Sequence, residues 1–229
     1  MNPSLQHPKQ RTEVRQASLV EAALQLAAKH SPAEITTGDL AEAIGISQGA
    51  VFKHFASKEA IWLSVIDWAT STLITRLQAA ALQGDASHQA IHGRCAMVPH
   101  AEETPPLSAL LALKAVFMAH VDFVMTYPGV PRIIFQELQS PGDSALKLRV
   151  QSLMQRYRQL IMQLLQQAVQ QRRVAPDADL QAAVVLFIGA IQGLVMQAMI
   201  SGDLAAMAQQ ASGVFAIFEH GMLDKRPSF

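Results

Sequence analysis

The side chains best suited to recognising another molecule lie in the segment TTGDLAEAIGISQGAVFKHFASKE, at residues 36–59. Gln48 carries a donor and an acceptor in one amide plane, which matches the major-groove edge of adenine. Lys53 can reach guanine or a phosphate, and Lys58 suits a backbone phosphate. The combination predicts recognition of DNA.

Two short helices joined by a glycine turn are needed to position these side chains. Thr36 and Asp39 form an N-capping pattern that begins a helix, and Gly45 ends it in the left-handed conformation. Ser47 begins a second short helix, with Val51 facing inward. Two such helices packed on a third form a helix-turn-helix, which places the start of its second helix on the base edges of the major groove.

The segment TTGDLAEAIGISQGAVFKHFASKEAIW resembles the N-terminal domain of the TetR family of bacterial transcriptional regulators, through about residues 11–68. The matching positions include Leu40-Ala41, Gly45-Ile46-Ser47 and Ser57-Lys58-Glu59. The tyrosine that usually touches a phosphate in this family corresponds to Phe52, so that contact is expected to be lost or taken over by Lys53 or His54. The DNA-binding residues that the motif and the resemblance imply are Thr37, Ser47, Gln48, Gly49, Ala50, Phe52, Lys53, His54 and Lys58.

The resemblance also implies two functional domains along the chain. Residues 1–58 would form the DNA-binding domain, with an N-terminal arm at 1–10, and residues 59–229 the ligand-binding and dimerisation domain. Lys9, Arg11 and Arg15 supply a modest basic segment at the start. The implied protein is a cytoplasmic homodimer that binds a palindromic operator on double-stranded DNA and is released by a small, largely apolar effector.

Helical periodicity runs through the chain and alternating strand patterns are missing, so the fold is expected to be all-α. The segment at 83–105 contains glycine and proline, which predicts a long loop or a short, poorly held helix. The pattern predicts about nine helices, over residues 11–30, 37–44, 48–54, 58–82, 106–127, 131–140, 144–174, 178–201 and 204–222.

The stretch at 180–202, LQAAVVLFIGAIQGLVMQAMISG, has no charged residue and could span a membrane by length. Its flanks carry Asp177, Asp179 and Asp203 instead of lysine or arginine, which disfavours a membrane helix. Gly189 and Gly193 form a GxxxG pair that allows close helix approach. By resemblance, the last two long helices pack against the same pair of a second subunit. The predicted dimer interface contains Ile188, Ile191, Val195, Val214, Phe218 and Met222.

An effector site is implied in the larger domain, where aromatic residues and methionines could line an apolar cavity and a few polar groups could orient the guest. Each of these residues has an alternative role as ordinary core. The predicted ligand-binding residues are Phe117, His120, Val121, Met125, Phe135, Glu137, Met154, Tyr157, Phe187 and Gln192.

Two other functions remain open from the sequence. His88, His92 and Cys95 share a helix face if 83–105 is helical, which would suit a metal- or redox-responsive regulator. The second alternative is a helical binding module that does not contact DNA. No cofactor is expected.

The composition excludes further classes of protein. Eighteen basic and eighteen acidic residues cancel, and half of the chain is apolar, which excludes a disordered or polybasic chain. A single cysteine excludes a disulfide framework and suggests a reducing compartment. Since the GxSxG, HExxH, P-loop and dinucleotide motifs are all absent from the sequence, no enzymatic activity is expected.

Overall fold

The structure is a computed structural model that describes residues 8–92, 108–139 and 141–223, and their side chains except at 8–11 and 85–92. Within these ranges the chain forms nine α-helices and no β-strand, which confirms the predicted all-α fold. The helices are α1 (Pro8–Ala27), α2 (Thr37–Ala43), α3 (Gln48–Val51), α4 (Lys58–His92), α5 (Ala109–Thr126), α6 (Gly129–Gln139), α7 (Ala145–Gln170), α8 (Leu180–Ser201) and α9 (Leu204–Met222).

Helix α4 is longer than predicted, because it continues to His92 instead of ending near residue 82. Gly84 belongs to the segment predicted as a loop or short helix, but it lies within α4 in close contact with α5. A Cβ atom on Gly84 would lie 2.8 Å from Cβ of Ala115 and 2.9 Å from the carbonyl oxygen of Leu111. The glycine is therefore required by tertiary packing within a continuous helix.

Two compact units make up the chain. The first contains the residues up to Ser71 and Thr126–Leu153, and the second contains Thr72–Met125 and the residues from Met154 onward. The three boundaries fall inside α4, before the last residue of α5 and inside α7. The predicted boundary after residue 58 separates DNA binding from ligand binding and dimerisation, not compact units of the backbone, and it stays a prediction.

In the first unit, α6 packs closely on α1. A Cβ atom on Gly129 would lie 2.5 Å from the carbonyl oxygen of Leu24 and 3.1 Å from the backbone nitrogen of Ala28. Only glycine allows this approach of the two backbones. An ion pair also links α4 and α7 in this unit, with 3.5 Å between Asp67 and Arg149.

In the second unit, an aromatic cluster joins α5, α8 and α9. Phe187 lies edge-on to Phe117 and to Phe218, with ring centroids 5.4 Å apart in both pairs. Phe215 packs on Phe117 at 5.5 Å, and all four rings are buried. Aromatic pairs in these arrangements stabilise a core beyond the area that they bury.

The acidic residues that flank the apolar helices have a local structural role. Asp179 accepts hydrogen bonds from the backbone N–H groups of Gln181 and Ala182, each at 3.0 Å, and so caps α8. Asp203 accepts one from Ala206 at 3.0 Å and caps α9. These carboxylates satisfy N–H groups that the first turn of a helix leaves without partners.

Two helices, α5 and α8, are long and apolar enough to cross a membrane by length and composition. Within this chain, however, 50% of the apolar window in α5 and 44% of that in α8 are buried. Core helices of globular proteins have the same composition.

Candidate nucleic-acid interface

Helix α2 begins with the predicted capping box. The Thr36 hydroxyl accepts from the backbone N–H of Asp39 at 3.2 Å, and the Asp39 carboxylate accepts from the backbone N–H of Thr36 at 2.7 Å. The Thr36 hydroxyl also donates to that carboxylate at 2.9 Å. The backbone N–H and then the hydroxyl of Thr36 hold the pKa of Asp39 below its usual value, so the box is complete at neutral pH.

The turn between α2 and α3 follows from Gly45, which adopts φ of 66° in the left-handed region. The N–H of Gly45 donates to the carbonyl of Glu42 at 3.1 Å, and the N–H of Ile46 donates to that of Ala41 at 3.0 Å. These two bonds form a Schellman motif, which ends α2 and directs the chain into α3.

Helix α3 buries one face and leaves the other open. Val51 is fully buried and Phe55, just after the helix, is 7% exposed. Gln48 and Gly49 are exposed on the outside of the helix, and Lys53, two residues beyond its end, is exposed as well. The predicted DNA-binding residues Ser47, exposed, and Ala50, half-buried, lie at the start of this helix, and Phe52 is 51% exposed. The open face therefore has the shape and side chains of a helix that enters a major groove.

A hydrogen bond connects the two helices across this open face. Nε2 of Gln48, the first residue of α3, donates to Oγ1 of Thr37, the first residue of α2, at 2.8 Å. Both residues were predicted to contact DNA, but their contact with each other was not. The amide of Gln48 is therefore held in place in the absence of DNA.

Two residues predicted to contact phosphate, Lys58 and His54, are partly engaged or partly buried within the chain. Nζ of Lys58 donates to the carbonyl oxygen of Ala33 at 3.0 Å, although an ammonium retains two more donors. Nδ1 of His54 is buried without a hydrogen-bond partner, and its backbone carbonyl accepts from Gln16 at 2.9 Å. Lys53, next to Phe52, is exposed, and the replacement of the missing tyrosine contact by Lys53 or His54 stays a prediction.

The predicted N-terminal arm is partly helical, since α1 begins at Pro8. Proline is favourable in the first turn of a helix, where its missing N–H is not needed. Lys9 and Arg11 lie on α1, and Arg15 is exposed there. These basic positions therefore belong to the first helix.

The structure brings some of the predicted ligand-binding residues together. In the second unit, the hydroxyl of Tyr157 lies 2.9 Å from Nδ1 of His120 in a hydrogen bond; Tyr157 is fully buried and His120 is half-buried. Burial lowers the pKa of His120 to about 4 and raises that of Tyr157. The neutral pair is the form favoured by the core.

The other predicted ligand-binding residues lie in three settings. Phe117, Val121 and Phe187 are buried in the second unit, where Met125 and Met154 are half-buried. Gln192 is exposed on α8, and so lies outside the buried cluster. Phe135 and Glu137 belong to the first unit, where Glu137 accepts a hydrogen bond from Ser144.

A cavity that sequence analysis did not predict lies at the turn between α8 and α9, with a volume of about 450 Å³. Residues on facing turns of the two helices form it, which only the hairpin geometry brings together. Its lining includes Leu194, Gln197, Ser201, Met207 and Gln210.

The predicted dimer residues differ in exposure within the single chain, and their place in a dimer stays a prediction. Ile188, Ile191, Val195 and Phe218 are at most 6% exposed because they belong to the chain's own core. Val214 and Met222 are half-buried. The apolar residues that α8 and α9 expose are instead Val185, Leu186, Met196, Ile200 and Ile217.

The alternative metal or redox site falls on residues whose placement is not described. The backbone of α4 is helical through His88 and His92, but their side chains and Cys95 lie outside the described part of the chain. Among the residues that are described, no group of three potential metal ligands occurs.

Two family models match the chain. Residues 19–65 match the model described as bacterial regulatory proteins, tetR family, and residues 139–214 match that of the Tetracyclin repressor-like C-terminal domain. The nucleoid occlusion factor SlmA of Haemophilus ducreyi is 27% identical over 149 residues. That alignment covers 65% of this chain and 63%, less than two thirds, of the relative.

Solved structures share the fold over nearly the whole chain. The transcriptional regulator FadR from Bacillus subtilis, in complex with stearoyl-CoA, superposes with a TM-score of 0.70 at 15% identity, covering 90% of this chain and 98% of that one. SmeT, the repressor of the multidrug efflux pump SmeDEF of Stenotrophomonas maltophilia, has a TM-score of 0.67 at 14% identity, with 93% of each chain covered. At these identities the likeness concerns the fold.

Proposed function

The chain belongs to the TetR family of bacterial transcriptional regulators, and we propose that it is a cytoplasmic, homodimeric repressor of this kind. Its family and fold are those of DNA-binding regulators rather than of enzymes. In this proposal it binds a palindromic operator through α3 and leaves it when a small, largely apolar effector binds. The observation that carries the proposal is the open face of α3, where Gln48 and Gly49 are exposed, with Lys53 also exposed two residues beyond the end of the helix. The capping box of α2 and the Gly45 turn precede this helix and set its direction.

The two long polar side chains of this face are assigned different tasks. Gln48 reads a base edge, since its amide offers a donor and an acceptor to adenine. Lys53 contacts phosphate, which contributes affinity for any sequence. Gly49 has no side chain and so keeps the start of the helix narrow enough for close approach to DNA. A Cβ atom there would meet no atom of the chain within 4 Å, so the chain's own packing does not require glycine at this position.

Substitution of each side chain separates these tasks. Sequences bound by the full-length chain are first selected from a randomised duplex library. Gln48→Ala should then change the base preference at one position of each half-site, while Lys53→Ala should weaken binding to all duplexes and reduce the salt dependence by about one charge. Gln163→Ala, an exposed glutamine on α7, is the matched control and should change neither property. An unchanged base preference in Gln48→Ala would contradict the assignment.

A second copy of the chain is the proposed partner of the exposed face of α8 and α9. This face carries Leu186 and Ile200 on α8 and Ile217 on α9, which are 57%, 73% and 76% exposed. Large apolar side chains exposed to water are unfavourable where they cluster, and such clusters mark interaction surfaces. The GxxxG glycines, Gly189 and Gly193, have open space where a Cβ would be, so the chain's own packing does not require them.

Helical glycines are otherwise unfavourable by about 0.5–1 kcal/mol relative to alanine. Close approach of a partner helix to the backbone of α8 would explain why glycine occupies both positions. Dimerisation is tested by light scattering with Leu186→Glu, which should give a monomer. Leu148→Glu, on α7 at 55% exposure, is the control and should remain a dimer. A dimeric Leu186→Glu variant would place the interface elsewhere.

The proposed effector site lies in the second unit, around the His120–Tyr157 pair and the half-buried Met125 and Met154. Apolar walls with one polar pair suit a ligand that is mostly apolar with a single hydrogen-bonding group. The two similar structures support only the apolar part of this description, because one holds stearoyl-CoA, which has a long acyl chain, and the other is the repressor of a multidrug efflux pump. Effector binding would favour the DNA-free state only if that state binds the effector more tightly.

Release of DNA tests this part of the proposal. Fluorescence anisotropy of a selected duplex is followed while stearoyl-CoA, free stearate or a panel of apolar drugs is added. At least one apolar compound should release the duplex from the wild-type protein and act more weakly on Tyr157→Phe. If the duplex stays bound in the presence of every compound, release by an apolar effector is contradicted, while the proposal that the protein binds DNA still stands.

The relative from Haemophilus ducreyi favours a second candidate function, since it is described as a nucleoid occlusion factor. A protein of that class would occupy many sites across a chromosome, whereas a repressor occupies one or a few promoters. Chromatin immunoprecipitation with the full-length chain distinguishes the two, because dispersed sites would favour the second candidate.

A further inference from the structure

We propose that Thr37 is a positioning residue for sequence recognition, which orients the Gln48 amide before DNA is bound. The inference rests on the proposed function, since it requires that Gln48 reads a base. Its observation is the 2.8 Å hydrogen bond from Nε2 of Gln48 to Oγ1 of Thr37, which joins the first residues of α3 and α2.

The chemistry of this hydrogen bond leaves Gln48 ready to bind adenine. A carboxamide nitrogen has two N–H groups, of which Thr37 accepts one. The second N–H and the carbonyl oxygen remain free, and these are the donor and acceptor that the N7 and N6 edge of adenine requires. The bond also limits the rotamers of an exposed glutamine, which would otherwise lose that freedom on binding.

The hydroxyl of Thr37 has a second capacity. Because its oxygen acts as the acceptor, its own hydrogen remains available to a DNA phosphate. Thr37 is half-buried at the start of α2, and the Thr36–Asp39 capping box fixes its backbone. One hydroxyl can thus connect a phosphate contact, which sets the position of the protein on DNA, to the side chain that reads the base.

The test compares Thr37→Val, which keeps the branched shape and removes the hydroxyl, with Thr37→Ser, which restores it. Each full-length variant is measured against the duplex selected by the wild type and against duplexes changed at the position where Gln48→Ala alters preference. Thr37→Val should lose about fivefold of the discrimination at that position, as expected for one hydrogen bond. Thr37→Ser should recover most of it. Combined with Gln48→Ala, Thr37→Val should cause no further loss of discrimination, because the two residues act as one unit.

A second readout needs no DNA. In the free wild-type protein, the two side-chain N–H protons of Gln48 should give restrained, well-separated NMR signals, and Thr37→Val should make them resemble those of a solvent-exposed glutamine such as Gln163. Equal loss of affinity for every duplex in Thr37→Val would show a phosphate contact only and overturn the positioning role, as would unchanged discrimination or unrestrained amide signals in the wild type. A wild-type protein that enriches no duplex from the library would overturn the proposed function itself, which is a separate outcome.

Discussion

The hydrogen-bonded His120–Tyr157 pair predicts a specific dependence of stability on pH. Burial holds the pKa of His120 at about 4 in the folded chain, against 6.5 for an ordinary histidine. Above pH 6.5 both the folded and the unfolded chain carry a neutral histidine, so this group adds no pH dependence. Below pH 6.5 the unfolded chain binds a proton that the folded chain does not, and stability falls until the pH reaches about 4.

The size of the effect follows from the difference between the two pKa values. At about 1.4 kcal/mol per pH unit, the folded chain loses about 3 kcal/mol per protomer across this range. About 2 kcal/mol of this is already lost at about pH 5. Such a change is a large fraction of the stability of an ordinary domain, so urea unfolding should resolve it.

His120→Asn is the comparison that isolates this group, because asparagine keeps a polar atom near Nδ1 but does not titrate. Urea unfolding of both proteins at equal concentration is measured from pH 7.5 to 4. Carboxylates that titrate in this range contribute equally to both proteins and cancel. The wild type should lose about 3 kcal/mol more than the variant. Parallel pH profiles would refute the reasoning and show that His120 is not held neutral by burial.

Three further predictions concern the fold. Gly129→Ala places a Cβ 2.5 Å from the Leu24 carbonyl oxygen and should lower the free energy of unfolding by about 1–3 kcal/mol in a denaturation assay. The control Gly49→Ala, whose Cβ meets no atom of the chain within 4 Å, should leave the free energy of unfolding unchanged or raise it slightly. Asp203→Ala removes the cap of α9 and should lower stability by about 1 kcal/mol in urea unfolding, and an unchanged midpoint would contradict the cap. Tyr157→Phe leaves Nδ1 of His120 without its partner and should lower the free energy of unfolding by about 1–3 kcal/mol in the absence of effector, an effect that a thermal melt would also register.

The helix-turn-helix was predictable because its signals are local. The Thr36–Asp39 box and the left-handed Gly45 act within a few residues, so the sequence pattern was sufficient to predict both. The extent of α4 was not predictable, since the reason for Gly84 lies on α5, about 30 residues away. A glycine required by packing and one that breaks a helix look alike in a sequence.

The apolar helices show a second limit. Helix α8 is apolar on nearly every side, so periodicity could not distinguish the face that meets the chain's own core from the face left exposed. The predicted interface residue Ile191 is 1% exposed, while Ile200 is 73% exposed. Likewise, the hydrogen bond between Gln48 and Thr37 joins residues 11 positions apart, and that between Lys58 and Ala33 joins residues 25 positions apart. Only the packing of the helices brings each pair together.

Selection of duplexes from a randomised library by the full-length chain tests the central claim most directly. A homodimer that reads DNA through α3 should enrich one motif with two-fold symmetry, and its affinity should fall steeply between about 50 and 200 mM salt. In the same experiment, Gln48→Ala should change the preferred base at symmetry-related positions of both halves. Enrichment of no motif, or of a motif that Gln48→Ala leaves unchanged, would contradict the account.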